Sequence, residues 1–157
     1  MSQHAPIARK IDARRLRFGV VAARFNEALV DALLRRALAV LRGAGAKRVE
    51  ILRVPGSHEV PVAAQWLARS RRVDCVVALG VLIGGDTNHH EMVGQSVSHA
   101  LQQVALATGV PVINGVIVTE NVAQAKARCS GRLDRGAEFG RAALEMAALA
   151  RRRKGRR

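Results

Sequence analysis

DCVVALG, residues 74–80, runs without a polar break from Asp74 to Gly80. It is far too short to span a membrane. Its apolar residues are consecutive rather than alternating, so both faces of the segment must be covered. A strand that reads this way belongs in the middle of a parallel sheet, with helices packed above and below it. Cys75 inside the run is read as a small buried hydrophobe, and its spacing from Cys129 shows no CxxC pair.

Working outward, RFGVVAA (17–23) and VEILRV (49–54) read as strands before this one, and VPVINGVIVT (110–119) as a strand after it. Between them lie segments of helical period. In residues 25–45 Leu29, Leu33, Leu34, Ala37, Val40 and Leu41 share one face, and Gly43 and Gly45 end the helix. A helix over 59–69 carries Pro61 in its first turn, where proline is tolerated. A long helix over 89–107 is stopped by Gly109 and Pro111, and helices over 122–129 and 135–152 complete the pattern. Strict alternation of strand and helix implies right-handed crossovers and a parallel sheet covered on both faces. The expected fold is therefore a flavodoxin-like three-layer α/β/α domain over residues 17–150, with a four-stranded parallel sheet. Residues 1–16 form an N-terminal arm and residues 151–157 a basic C-terminal tail.

The 157 residues carry a net charge of +14, but that charge is concentrated at the ends. RRRKGRR (151–157) holds six positive charges, and residues 1–17 hold Arg9, Lys10, Arg14, Arg15 and Arg17 against Asp12 alone. A strongly basic chain suggests nucleic-acid binding, yet basic ends also read as solvated charge runs. No interleaved aromatic platform accompanies the charge, since aromatics make up only 3% of the chain and Tyr is absent. The first residues contain no apolar signal segment, and no run reaches the length of a membrane span, so a soluble cytoplasmic setting with no membrane partner is expected.

In a doubly wound sheet, ligands bind beyond the carboxyl ends of the strands. Three segments converge there: Arg24-Phe25-Asn26, Pro55-Gly56-Ser57-His58-Glu59, and the loop from Gly80 to His90. Phe25 in a polar turn either stacks on a flat heterocycle or staples the following helix. Glu59 either accepts from hydroxyls of a polyol or simply favours a helix start through the macrodipole. Gly84-Gly85-Asp86-Thr87 before a helix can offer backbone N–H groups and a hydroxyl to an anion, although paired glycines also punctuate ordinary loops. The segment is neither a P-loop nor a G-x-G-x-x-G turn. His89 and His90 point about 100° apart if both are helical, and no cysteine completes a tetrahedral set, so no metal site is expected. His89 is better suited to proton transfer, or is a surface histidine without a role. Arg128 and Arg135 are phosphate-binding candidates or surface charges.

Taken together, RFN (24–26), VPGSHEVP (54–61), ALGVLIGGDTNHHEMV (78–93), PVINGVIVTENVAQAKAR (111–128) and DRGAEFGRAALEMA (134–147) resemble the lumazine synthase family in order and spacing. The resemblance implies an enzyme of riboflavin biosynthesis. It would condense 5-amino-6-ribitylaminouracil with 3,4-dihydroxy-2-butanone 4-phosphate to 6,7-dimethyl-8-ribityllumazine, phosphate and water, using no cofactor. Carried over by position, Phe25 stacks on the pyrimidine beside Asn26, and Ser57 and Glu59 hold the ribityl chain. Leu82 and Ile83 line the ring through their backbone. Gly85, Asp86, Thr87 and Arg128 bind phosphate, and His89 moves protons. Asn114 and Arg135 come from, or close to, the neighbouring subunit's side of the site.

The resemblance also implies a homopentamer, with a 60-subunit shell in some members, and riboflavin synthase as a candidate partner. Incidental polyanion binding is expected of the tail. Gly84 stands where the family often has a charged residue, and His90 and Met92 where aromatics are common, so phosphate affinity is expected to suffer at Gly84. Two rival readings are a catalytically weak, shell-forming relative and a basic nucleic-acid-binding protein.

Overall fold

The computed structural model describes residues 10–155. Four strands, β1 (Arg17–Ala23), β2 (Arg48–Val54), β3 (Cys75–Ile83) and β4 (Val112–Thr119), form one parallel sheet in the order β2-β1-β3-β4. Five helices connect and follow them: α1 (Glu27–Gly43), α2 (Val60–Arg69), α3 (His89–Thr108), α4 (Val122–Cys129) and α5 (Arg135–Lys154). This is the three-layer parallel architecture expected from the sequence.

The period-2 geometry of the two central strands sorts their residues between two cores. Phe18, Val20 and Ala22 of β1, with Cys75, Val77, Leu79 and Val81 of β3, pack under α1, α4 and α5. Val21 and Ala23, with Val76 and Ala78, pack under α2 and α3. Both faces of DCVVALG are thus buried, and each fully buried Leu or Val contributes about 1.5–3 kcal/mol relative to exposure. Burial also pushes the Cys75 thiol up, which suits an inert core residue.

The helix ends follow the local chemistry. Gly109 takes φ 66° at the C-terminus of α3, and its N–H donates to the Ala105 carbonyl. Arg24, Phe25 and Asn26 turn the chain directly from β1 into α1. The helix expected over 59–69 instead begins with a separate 3-10 turn at Ser57–Glu59, which hands over to α2 at Val60.

One strand end is corrected. β3 does not end at Gly80 but continues through Val81, Leu82 and Ile83, which pair with Ile117, Val118 and Thr119 of β4. α5, expected over 135–152, runs to Lys154, and Arg151 lies 3.5 Å from the buried Asp74 carboxylate and donates to the Arg15 carbonyl. At the other end, Ala13 and Leu16 are buried in the core beneath α1 and α5, while residues 5–9 of the expected arm lie outside the described residues. Among the described residues, no helix is long and apolar enough to cross a membrane.

Candidate active site

The strand order reverses between β1 and β3, and this places a crevice beyond their carboxyl ends. The pairing of β1 with β3 ends at Ala22 and Leu79, whereas β3 remains paired with β4 as far as Ile83 and Thr119. The last turn of β3 therefore projects beyond β1. In a parallel strand, the N–H and C=O of one residue point to the same side, and successive residues alternate. Thr119 Oγ1 donates to the Leu82 carbonyl, and the Gly84 N–H donates to the Thr119 carbonyl at 2.7 Å, so residues 82 and 84 address β4. Val81 and Ile83 address the opposite side, where β1 has ended. Asn26 Nδ2 takes the Val81 carbonyl at 2.8 Å, and the backbone edge at Ile83 is left facing the crevice.

The resulting cleft has a volume of about 460 Å³, within the ordinary range for small-molecule sites. The structure brings Phe25, Asn26, Ser57, Glu59, Leu82, Ile83, Gly85, Thr87 and His89 together in its walls. Phe25 is 72% exposed, so it is no helix staple. Its turn is fastened to the end of β2 by Arg24 and Phe25 N–H bonds to the Pro55 carbonyl. Asn26 adopts a left-handed backbone conformation, φ 56°, which asparagine tolerates better than most residues. Glu59 Oε2 accepts from the Gly56 N–H at 2.8 Å, so one carboxylate oxygen shapes the turn and the other retains acceptor capacity. The Ser57 hydroxyl is buried against Gly80 and has no protein partner.

At the far end of the cleft, α3 starts at His89 behind Asn88, which makes no side-chain cap. The first N–H groups of this twenty-residue helix thus point toward the turn that holds Gly85 and Thr87. Gly84 has a steric reason to be glycine, because a Cβ there would sit 2.6 Å from the Glu120 carbonyl oxygen. This position brings the backbones of Gly84 and Glu120 close together.

Four expected residues lie elsewhere. Asp86 is exposed but does not line the cleft. Asn114 donates to Ser98 Oγ and lines a wider concavity of about 670 Å³ between α3 and β4. Arg128 is half-buried on α4 and donates to the Gln124 carbonyl of its own helix. Arg135 pairs with Glu138 at the start of α5. Among the described residues lining the cleft there is no lysine or arginine.

Sequence reading placed His58, Val81 and His90 in the converging segments without assigning them a role, and did not single out Val93; all four line the cleft. The Val81 carbonyl could have been found only with the relative lengths of β1 and β3. His90 is buried, with Nε2 3.7 Å from Glu120 Oε2. Together with Glu91 they form, among the described residues, a group whose ligand atoms lie within 4.8 Å of one another and could approach a metal ion.

Residues 15–151 match the family model described as 6,7-dimethyl-8-ribityllumazine synthase. The chain is 44% identical over 136 residues to the 6,7-dimethyl-8-ribityllumazine synthase of Thermococcus gammatolerans, covering 87% of this chain and 88% of that protein. The Pyrococcus furiosus protein of the same name is 43% identical, with 87% and 86% of the two chains covered. That of Thermobifida fusca is 44% identical, with 90% and 84% covered. The chain belongs to the 6,7-dimethyl-8-ribityllumazine synthase family.

Proposed function

We propose that the chain is a transferase that makes 6,7-dimethyl-8-ribityllumazine from 5-amino-6-ribitylaminouracil and 3,4-dihydroxy-2-butanone 4-phosphate, in riboflavin biosynthesis. The observation that carries this reading is the projecting edge of β3. It offers backbone beyond the end of the β1–β3 pairing, at Ile83, to a flat heterocycle, in a cleft shared with an exposed Phe25 ring and an uncapped helix start. The pyrimidine lies against Phe25 and the β3 edge, with its ribityl hydroxyls toward Glu59. The phosphate of the second substrate lies at Gly85, Thr87 and the first N–H groups of α3, where the helix dipole favours an anion.

The amine of the pyrimidine attacks the ketone and water is lost, phosphate leaves, and the second amine closes the ring with loss of water. Each of these steps moves a proton, and His89, in the cleft wall at the start of α3 next to the phosphate turn, carries it. Most of the acceleration comes from holding both substrates in one cleft, which converts a bimolecular encounter into an intramolecular reaction.

The absence of lysine and arginine from the described lining supports a site completed by a neighbouring copy. A phosphate dianion favours a guanidinium partner, and Arg128 and Arg135 reach it from an adjacent subunit, while Asn114 on the α3/β4 face faces the pyrimidine and ribityl part of a neighbour's site. The assembly is a pentamer, or a shell of twelve pentamers, and in either the basic ends of α5 recur on every subunit. Such a field binds polyanions without reading their sequence and releases them as salt rises.

Product formation from both substrates, followed by lumazine absorbance and fluorescence, tests the reaction. A folded protein that forms no lumazine would be a shell-forming relative instead. Size-exclusion chromatography with light scattering tests the shared site, and a monomer overturns it.

A further inference from the structure

We propose that His90, Glu91 and Glu120 form a binding site for a divalent transition cation such as Zn²⁺, joining the first turn of α3 to the turn between β4 and α4. His90 is 8% exposed, and neither ring nitrogen has a hydrogen-bond partner in the protein. A buried imidazole left in that state is unfavourable, so its lone pair is a strong candidate for a ligand. Its Nε2 is aimed at Glu120 Oε2, 3.7 Å away, and one ligand atom from each of the three residues lies within 4.8 Å of the other two.

The two carboxylates can complete the site at low cost. The Glu120 backbone is held in place, because its carbonyl meets Gly84, the preceding Thr119 carbonyl takes the Gly84 N–H, and its own N–H donates to Gln124 Oε1. Its side chain is 67% exposed and free to swing inward. Zn–N and Zn–O bonds of about 2.0–2.2 Å set tetrahedral ligand atoms roughly 3.3–3.5 Å apart, so the carboxylates need to close by about an ångström. Adjacent residues on a helix diverge, which argues against two rigid imidazoles sharing an ion. Glu91 has three side-chain torsions and reaches back over its own turn.

One imidazole and two carboxylates suit Zn²⁺, Co²⁺, Ni²⁺ or Mn²⁺ rather than a thiolate-seeking ion or an all-oxygen one. Since His90 also lines the cleft, the bound ion would stiffen the wall behind the phosphate turn.

The full chain, freed of metal with a chelator, is titrated with ZnCl₂ by calorimetry, alongside Glu120→Gln, Glu91→Gln and His90→Phe. The expected result is one Zn²⁺ per chain at this site. Each glutamine variant should lose roughly tenfold or more in affinity, at least what removal of an outer-sphere group costs. Zn²⁺ should raise the Tm of the parent chain and have a weaker effect on the variants. Both glutamine substitutions are at exposed side chains, so they test the site even if His90→Phe does not fold. Zn²⁺ uptake that is unchanged by any one of the three substitutions, or no uptake by the parent chain, overturns the proposal.

Discussion

Asn26 Nδ2 donates to the carbonyl oxygen of Val81 across 2.8 Å, tying the residue before α1, at the end of the turn after β1, to the part of β3 that outruns it. This bond replaces the next rung of the β1–β3 ladder, and it holds the Phe25 turn at the height of the exposed β3 edge. Asn26 makes it from a left-handed backbone conformation, so two separate requirements meet in one residue.

Those requirements can be separated by substitution. Asn26→Ala loses the hydrogen bond and puts a Cβ-bearing residue at φ 56°, for a combined cost of about 1.5–3 kcal/mol. Asn26→Gly loses only the bond and relieves the backbone, so it should be the less destabilised of the two by about 1 kcal/mol. Urea denaturation of the two variants measures the difference, and equal stabilities would remove the backbone part of the account.

His89→Ala should lower turnover by up to about 10²-fold, the lower end of what a well-placed proton-transfer group contributes. His89 is exposed at the helix start, so the fold should be retained. Steady-state rates at saturating substrates check the loss, with circular dichroism confirming the fold. Undiminished turnover in the folded variant assigns proton transfer to another group.

Gly84→Ala should destabilise the chain by about 1–3 kcal/mol, because a Cβ facing the Glu120 backbone forces the end of β4 to move. The same shift displaces the phosphate turn, so KM for the butanone phosphate should rise more than KM for the pyrimidine. Thermal unfolding and separate KM measurements test both effects. An unchanged Tm would show that the turn yields without cost.

Asp74 is buried, which by itself would raise its carboxyl pKa, yet hydrogen bonds from the Arg17 side chain and backbone, aided by Arg151, hold it below the usual value. A lowered native pKa contributes stability above the unfolded value of about 3.9, and that contribution fades as pH falls through the native one. Asp74→Asn should therefore cost about 1–3 kcal/mol at neutral pH. The gap between parent and variant should shrink below about pH 4. Denaturation curves across pH 3–7 check this, and a gap independent of pH would place the effect in packing rather than charge.

How much of this was legible in the sequence depends on the range over which each signal acts. DCVVALG states by itself that it is covered on both faces, because hydrophobic burial is written residue by residue. The alternation of strands and helices then restricts the sheet to a parallel one with its loops converging at one end. Phe25 is conspicuous in the sequence as an aromatic in a polar turn, and the fold brings it into one cleft with Glu59, Thr87 and His89. The depth of the cleft is not local. It depends on β1 stopping opposite Leu79 while β3 continues to Ile83, a difference in register between strands separated by a whole crossover. The steric role of Gly84 and the meeting of His90 with Glu120 are likewise contacts between β3 or α3 and the end of β4. Arg128 shows the converse, since its position in the sequence suits a phosphate ligand but the packing of α4 keeps it out of this chain's own cleft. Periodicity and composition record what each segment buries, whereas only the packed sheet decides which segments end side by side, because their separation in space is set by strand order and register rather than by distance along the chain.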